Sequence, residues 1–162
     1  EYGGYYLRFW IAMLMVFVLD RASKWWVTTH FGLTESHELW DGILYLTYVE
    51  NHGAAFGILQ GHSWFFLLCG IGVIAGLSFY NARYQVPNPV RIIIGVLAGG
   101  ALGNLFDRYW YGHVIDFLDL RWWPVFNVAD IAIVCGGMLL LGYFFWEERN
   151  EARNGNHKLD PN

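Results

Sequence analysis

Four stretches of this chain are mainly apolar over about the 20 residues that a membrane-spanning helix requires. They run over about residues 5–28, 63–81, 90–108 and 125–146. In hydrocarbon no water pairs with backbone amides, so each stretch must satisfy its own N–H and C=O groups as a helix. The expected fold is an all-α membrane protein, a single membrane domain over residues 1–162 with four transmembrane helices. Composition agrees, since only 15% of residues are charged, against about 25% in soluble domains. The apolar part of the first stretch ends at Leu19, and Asp20, Arg21 and Lys24 follow it rather than small cleavage-site residues. It therefore reads as a span and not as a cleaved leader.

The basic residues orient these spans. Arg8, Arg83, Arg91, Arg149, Arg153 and Lys158 fall on one side, and Arg21, Lys24, Arg108 and Arg121 on the other. The positive-inside rule then puts both termini in the cytoplasm. Segments 29–62 and 109–124 face outwards, and both are too apolar for ordinary solvated loops. The stretch "DGILYLTYVENHGAAFGILQG" has a β-branched and aromatic run closed by glycines. It predicts a small extracytoplasmic β-strand platform. "YWYGHVIDFLDLRWWP" is rich in Trp, whose ring favours the headgroup region. It is expected to be a periplasmic-side interfacial loop that bends at Gly112 and moves as a lid. Residues 147–162 read as a frayed cytoplasmic tail. Cys69 and Cys135 lie within apolar runs and read as buried, inert packing.

In this topology the ionisable groups embedded in the helices gather near the outer face. Asp20 and Lys24 end the first span, and Asp107 and Arg108 end the third. Asp130 falls about a turn and a half inside the fourth, while Asn51, Asp116 and Asp119 lie in the outer segments. A charge at the bilayer centre costs about 2.5–3.5 kcal/mol on the gentlest scale, so packing alone does not explain the sorting. Asp20 and Lys24 have the acid-first i, i+4 spacing of a helical ion pair, which serves structure or function equally well. Asp107 beside Arg108, and Asp119 near Arg121, read as structural pairs.

Asp116 and Asp130 differ, because "HVIDFL" and "NVADIAIV" offer no neighbouring cation. A carboxyl in apolar surroundings resists ionisation, and two close together share a proton. One then acts as base towards a water while the other donates to a carbonyl. This is the chemistry of an aspartic protease.

Other chemistries fit less well. No Ser lies in a GxSxG setting, and no HExxH spacing appears. His52 and His113 read as hydrogen-bonding or surface groups. The glycines of "GVLAGGALGN" have small-xxx-small spacing and read as helix packing, not as a phosphate loop. Two rivals remain. A transporter subunit would use the same carboxylates for a cation or proton. A structural membrane subunit leaves their sorting unexplained.

"VLDRASK", "NHGAAFG", "GGALGNLFDR", "HVIDFL" and "FNVAD", in this order, closely resemble the motifs of lipoprotein signal peptidase (signal peptidase II) of bacteria. They cover the chain from about Asp20 to Ala132. The resemblance implies an aspartic endopeptidase of the inner membrane that removes the signal peptide from prolipoproteins. It would cut before a Cys that bears diacylglycerol, at the outer leaflet. It implies Asp116 and Asp130 as the catalytic pair, supported by Asn51, Gly53, Asn104, Arg108, Asn127, Asp20 and Lys24, with Gly53–Phe56 as the "GAAF" stretch. Its implied partners are the diacylglyceryl prolipoprotein, membrane lipid and globomycin-type inhibitors, with no cofactor, metal or nucleic acid. One departure is visible: His52 stands where a Thr is usual. It is expected to alter local contacts without removing activity.

Overall fold

The structure, a computed structural model, describes residues 3–53 and 63–157. Its elements follow the order α1 (Gly3–His30), β1 (Ser36–Trp40), β2 (Leu44–Asn51), α2 (Ser63–Arg83), α3 (Asn88–Trp110), β3 (Val114–Asp119) and α4 (Val128–His157). Among the described residues, three helical stretches are long and apolar enough to cross a membrane: Trp64–Arg83, Asn88–Trp110 and Val128–Arg153. The remaining helix, α1, has 28 residues, or about 42 Å. Its second half carries Asp20, Arg21 and Lys24. Outward faces are lined by large apolar side chains such as Leu14 and Val18 of α1 and Met138 and Phe145 of α4. Lipid accommodates such a surface far better than water does.

Glycines set how closely the helices approach. Gly95, Gly99 and Gly103 recur every fourth residue, on the face of α3 that meets α1. A Cβ at Gly95 would lie 2.5 Å from the carbonyl oxygen of Phe9, and one at Gly99 2.6 Å from that of Met13. At Gly103 it would strike the Asp20 carboxylate. Gly100 turns towards α4, where a Cβ would lie 2.6 Å from Ala129 O. The small-xxx-small spacing therefore does pack helices, and α3 is the central one. At the end away from the strands, Phe9, Val86, Val90, Ile94 and Ala98 form an apolar core. Buried Arg91 closes the α2–α3 connection there, donating to Val86 O at 2.9 Å and Asn81 Oδ1 at 2.7 Å.

The platform is larger than expected. Its sheet is antiparallel, in the order β1-β2-β3, and takes β3 from the segment read as a loop. The reason that strand was missed is physical. Val114, Ile115, Asp116 and Phe117 are all buried, so the strand shows no inside–outside alternation. α1 and α3 pack against it. Residues 114–119, within the segment expected to move as a lid, form a strand paired with β2.

The fourth helix also differs at both ends. Phe126 pairs through its backbone with Leu118, which delays α4 to Val128. Asp130 is therefore in the first turn, not a turn and a half inside. Beyond Trp146 the helix continues to His157 through good helix formers such as Glu147, Glu148, Arg149 and Ala152. The frayed tail is helical over that length. Cys69 and Cys135 are free and on exposed faces, so neither is interior packing.

Candidate active site

The site rests on a buried charge cluster. Lys24 Nζ lies 2.9 Å from Asp20 Oδ2 and 2.7 Å from Asp107 Oδ2. The first of these is an ion-pair contact outside hydrogen-bond geometry. The Arg21 guanidinium holds the other oxygen of Asp107. Asp20, Lys24 and Asp107 are all 0% exposed, so the cluster persists only because two acids face two bases. Removing one member of such a group costs about 3–5 kcal/mol. Asp107 was expected to pair with its neighbour Arg108, but it pairs with α1 instead. Adjacent helical residues point about 100° apart, and α1 brings its cations to the face that carries Asp107.

This cluster orients the next layer. Lys24 can only donate, so the Asn104 oxygen must face it, at 2.9 Å. The Asn104 amide nitrogen is thereby aimed at Asp130 Oδ1, 2.8 Å away. Asn127 also donates to Asn104 Oδ1, at 3.0 Å, which fixes its own amide. Asp20 Oδ1 accepts the Ala129 N–H at 3.0 Å, and Asp107 Oδ2 accepts that of Ile115 at 3.2 Å. The cluster thus anchors both α4 and β3.

Two carboxyls meet above it. The β2–β3 register sets Val49 opposite Asp116 and Asn51 opposite Val114. Asn51 donates to Asp116 Oδ2 at 2.9 Å, and its own oxygen accepts the Gly53 N–H at 3.0 Å. The Leu118–Phe126 pairing folds the chain back, so that Asn127 Nδ2 lies 2.7 Å from Asp116 Oδ1. Asn127 also precedes α4 as its N-cap. Its oxygen accepts the Asp130 N–H at 2.9 Å, and Asp130 Oδ2 accepts the Asn127 N–H at 3.1 Å. This is a reciprocal capping box with Asp at its fourth position. Asn127, expected inside the span, therefore sits just before it and bridges the two carboxyls.

Asp116 and Asp130 face a cavity of about 290 Å³, lined also by Asn51, Gly53, Asn104, Arg108, Phe66 and Trp123. Arg108 reaches towards Gly53 O at 3.5 Å and lies over the Phe66 ring at 5.1 Å. Asp116 is 2% exposed. Burial, and then the charge of Asp130, push its carboxyl up to about 7, against hydrogen bonds from Asn51 and Asn127 that pull it down.

All the expected residues among those described gather here. Asn51, Gly53, Asn104, Arg108, Asp116 and Asp130 line the cavity, and Asn127 bridges the two acids. Asp20 and Lys24 support them from below. Ala54–Phe56 of "GAAF" lie outside the described residues. The sequence reading missed the parts played by Asp107 and Arg21, because no local spacing signals a pair between α1 and α3. Among the described residues, one group of three could hold a metal: Glu50, His52 and His113. By strand alternation Glu50 points away from the face that carries Asn51.

The family model described as signal peptidase (SPase) II matches residues 12–146. A lipoprotein signal peptidase of Syntrophomonas wolfei subsp. wolfei is 53% identical over 148 residues, which are 91% of this chain and 99% of that protein. Another, from Halothermothrix orenii, is 41% identical over 140 residues, 86% of this chain and 97% of that one. A solved structure of a bacterial membrane enzyme, determined by the in meso method at 2.3 Å resolution, is also similar. It has a TM-score of 0.81 and 29% identity, with 86% of this chain and 88% of that chain covered. A second, at 1.9 Å resolution, has a TM-score of 0.76 and 30% identity, covering 83% and 90%.

Proposed function

This chain belongs to the signal peptidase II family, and we propose that it removes signal peptides from prolipoproteins by aspartic chemistry at Asp116 and Asp130. Membership makes it a peptidase, and its apolar helices fit a protein of the bacterial inner membrane. The observation that carries the aspartic reading is the Asn127 bridge. One side chain donates to Asp116 while its backbone N–H donates to Asp130. Two acids held this way in one cavity share a proton.

Each acid has a role suited to its place. Asp130 lies at the N-terminus of α4, where the helix dipole favours a negative charge. It takes a proton from a water as that water attacks the scissile carbonyl. Asp116, which holds its proton up to about pH 7, donates to the carbonyl oxygen. The tetrahedral intermediate then collapses. A proton returns to the departing amine, and the acids regain their starting state. Asn51, Asn104 and Asn127 hold the two carboxyls in place, and Arg108 and Gly53 position the substrate backbone.

The cavity walls suit a lipid-bearing substrate. An apolar groove of about 340 Å³ shares Trp123, Phe126, Asp130 and Val134 with the cavity and continues along Ile131 and Cys135 of α4. It would receive an acyl chain of a diacylglyceryl Cys directly from the membrane. In this reading α1 is a fourth span, both termini are cytoplasmic, and cleavage occurs near the outer leaflet. Globomycin-type inhibitors would occupy the cavity. The test uses purified protein in detergent with a diacylated prolipoprotein. Asp116→Asn and Asp130→Asn should each abolish cleavage while keeping the fold. Substantial cleavage by either folded variant would remove the pair from the mechanism and favour the transporter alternative.

A further inference from the structure

Glu50 lies near the end of β2, His52 follows that strand, and His113 immediately precedes β3. The register pairs Glu50 with Ile115 and Asn51 with Val114, which carries His113 up to His52. Their rings are 5.1 Å apart. Nε2 of His113 lies 3.6 Å from Glu50 Oε1, and Nε2 of His52 lies 4.0 Å from Glu50 Oε2. One ligand atom from each of the three lies within 4.8 Å of the others. Two ligands on a tetrahedral ion at about 2.0–2.1 Å stand about 3.3 Å apart. Small movements close that difference. His52, with a side chain 60% exposed, has room to make most of them.

We propose that Glu50, His52 and His113 bind a divalent transition-metal ion of the zinc type, away from the sheet face that carries Asn51 and Asp116. Two imidazoles and one carboxylate, with a fourth position left to water, suit zinc. Magnesium and calcium take oxygen donors instead. The surroundings hold the donors in place. The Tyr48 hydroxyl donates to Glu50 Oε1 at 3.1 Å. Tyr111 stacks on the His113 ring at 6.0 Å. Such outer-shell contacts orient metal ligands. A bound ion would tie the end of β2 to the start of β3. Those two strands carry Asn51 and Asp116.

The assignment does not depend on the peptidase reading, and its test is binding. Co²⁺ alone is titrated into purified protein that lacks tag histidines. Wild type should develop ligand-field absorption that saturates at one equivalent and is displaced by Zn²⁺. Zn²⁺ should also raise its melting temperature. Glu50→Gln and His52→Thr should each weaken Zn²⁺ binding by at least about 100-fold, the upper end of the loss from a mere outer-shell change. Both should lose the thermal shift. His37→Gln, in the exposed Glu35–His37 pair, should retain both signals. Absence of saturable one-equivalent binding by wild type overturns the proposal. So does binding that either ligand variant leaves intact.

Discussion

Gly103→Ala sets two effects against each other. In a helix interior the change gains about 1 kcal/mol of propensity. Here the new methyl would lie 2.9 Å from Asp20 Cγ and 3.3 Å from its Cβ. Asp20 must retreat by roughly half an ångström or more to restore ordinary contact, yet it is 0% exposed. Its oxygens hold the Ala129 N–H at 3.0 Å and face Lys24 at 2.9 Å. Overpacking costs about 1–3 kcal/mol. Partial loss of the buried pair adds a share of about 3–5 kcal/mol. The clash wins, with a net loss of about 2–4 kcal/mol, or roughly 5–15 °C in melting temperature for a chain of this size. Cleavage should fall as well, because Asp20 anchors the turn of α4 that carries Asp130. Melting in detergent and turnover of a diacylated substrate measure the two effects. Gly137→Ala, whose new Cβ meets nothing within 4 Å beyond its own stretch of helix, keeps the propensity gain without the clash and is the control. In an Asp20→Ala background the Gly103→Ala penalty should shrink by at least about 1 kcal/mol. Control-like melting of Gly103→Ala, or strict additivity with Asp20→Ala, would refute the reasoning.

Four further outcomes follow, three at the site and one on the sheet. Asn127→Ala removes the α4 cap, a loss of about 0.5–2 kcal/mol. It also removes a hydrogen bond that pulls the Asp116 pKa down, so the alkaline limb of the pH–rate profile should move to higher pH. In wild type, folding raises Asp116 from about 3.8 to about 7. For a raised acid, the stabilising contribution is complete below about pH 4 and lost as pH rises through 7. That contribution is on the order of 4 kcal/mol. Denaturation of Asp116→Asn should therefore depend less on pH between 4 and 8, and wild-type turnover should decline above about pH 7 as the acid proton is lost. Lys24→Met leaves Asp20 and Asp107 buried beside each other, for a loss of about 3–5 kcal/mol that size exclusion and melting would show. Arg121→Ala, on the partly solvated pair with Asp119 at 3.2 Å, should by contrast change stability by less than about 1 kcal/mol.

Much of the site was legible because its signals are local or ordered along the chain. The apolar runs and the spacing of Gly95, Gly99 and Gly103 report on single helices. Asp116 and Asp130 stood out because no cation lies beside either in sequence. The five motifs named the supporting residues. Other features left no local trace. The strand over Val114–Asp119 is buried on both faces and so lacks the period of two. Asp107 has a cation next to it in sequence but takes its partners from α1. Glu50, His52 and His113 meet only through strand pairing.

The sequence alone determined that this chain must bury apolar helices with carboxyls near one end, because length and hydropathy act residue by residue. Only tertiary structure decided how those carboxyls are used. The Leu118–Phe126 pairing brings Asn127 to Asp116, and the start of α4 at Val128 makes Asp130 part of a cap. Close approach at the α3 glycines sets Asp20 and Lys24 beneath both. Each of these is a contact between distant segments, so its geometry exists only once the helices and strands have packed.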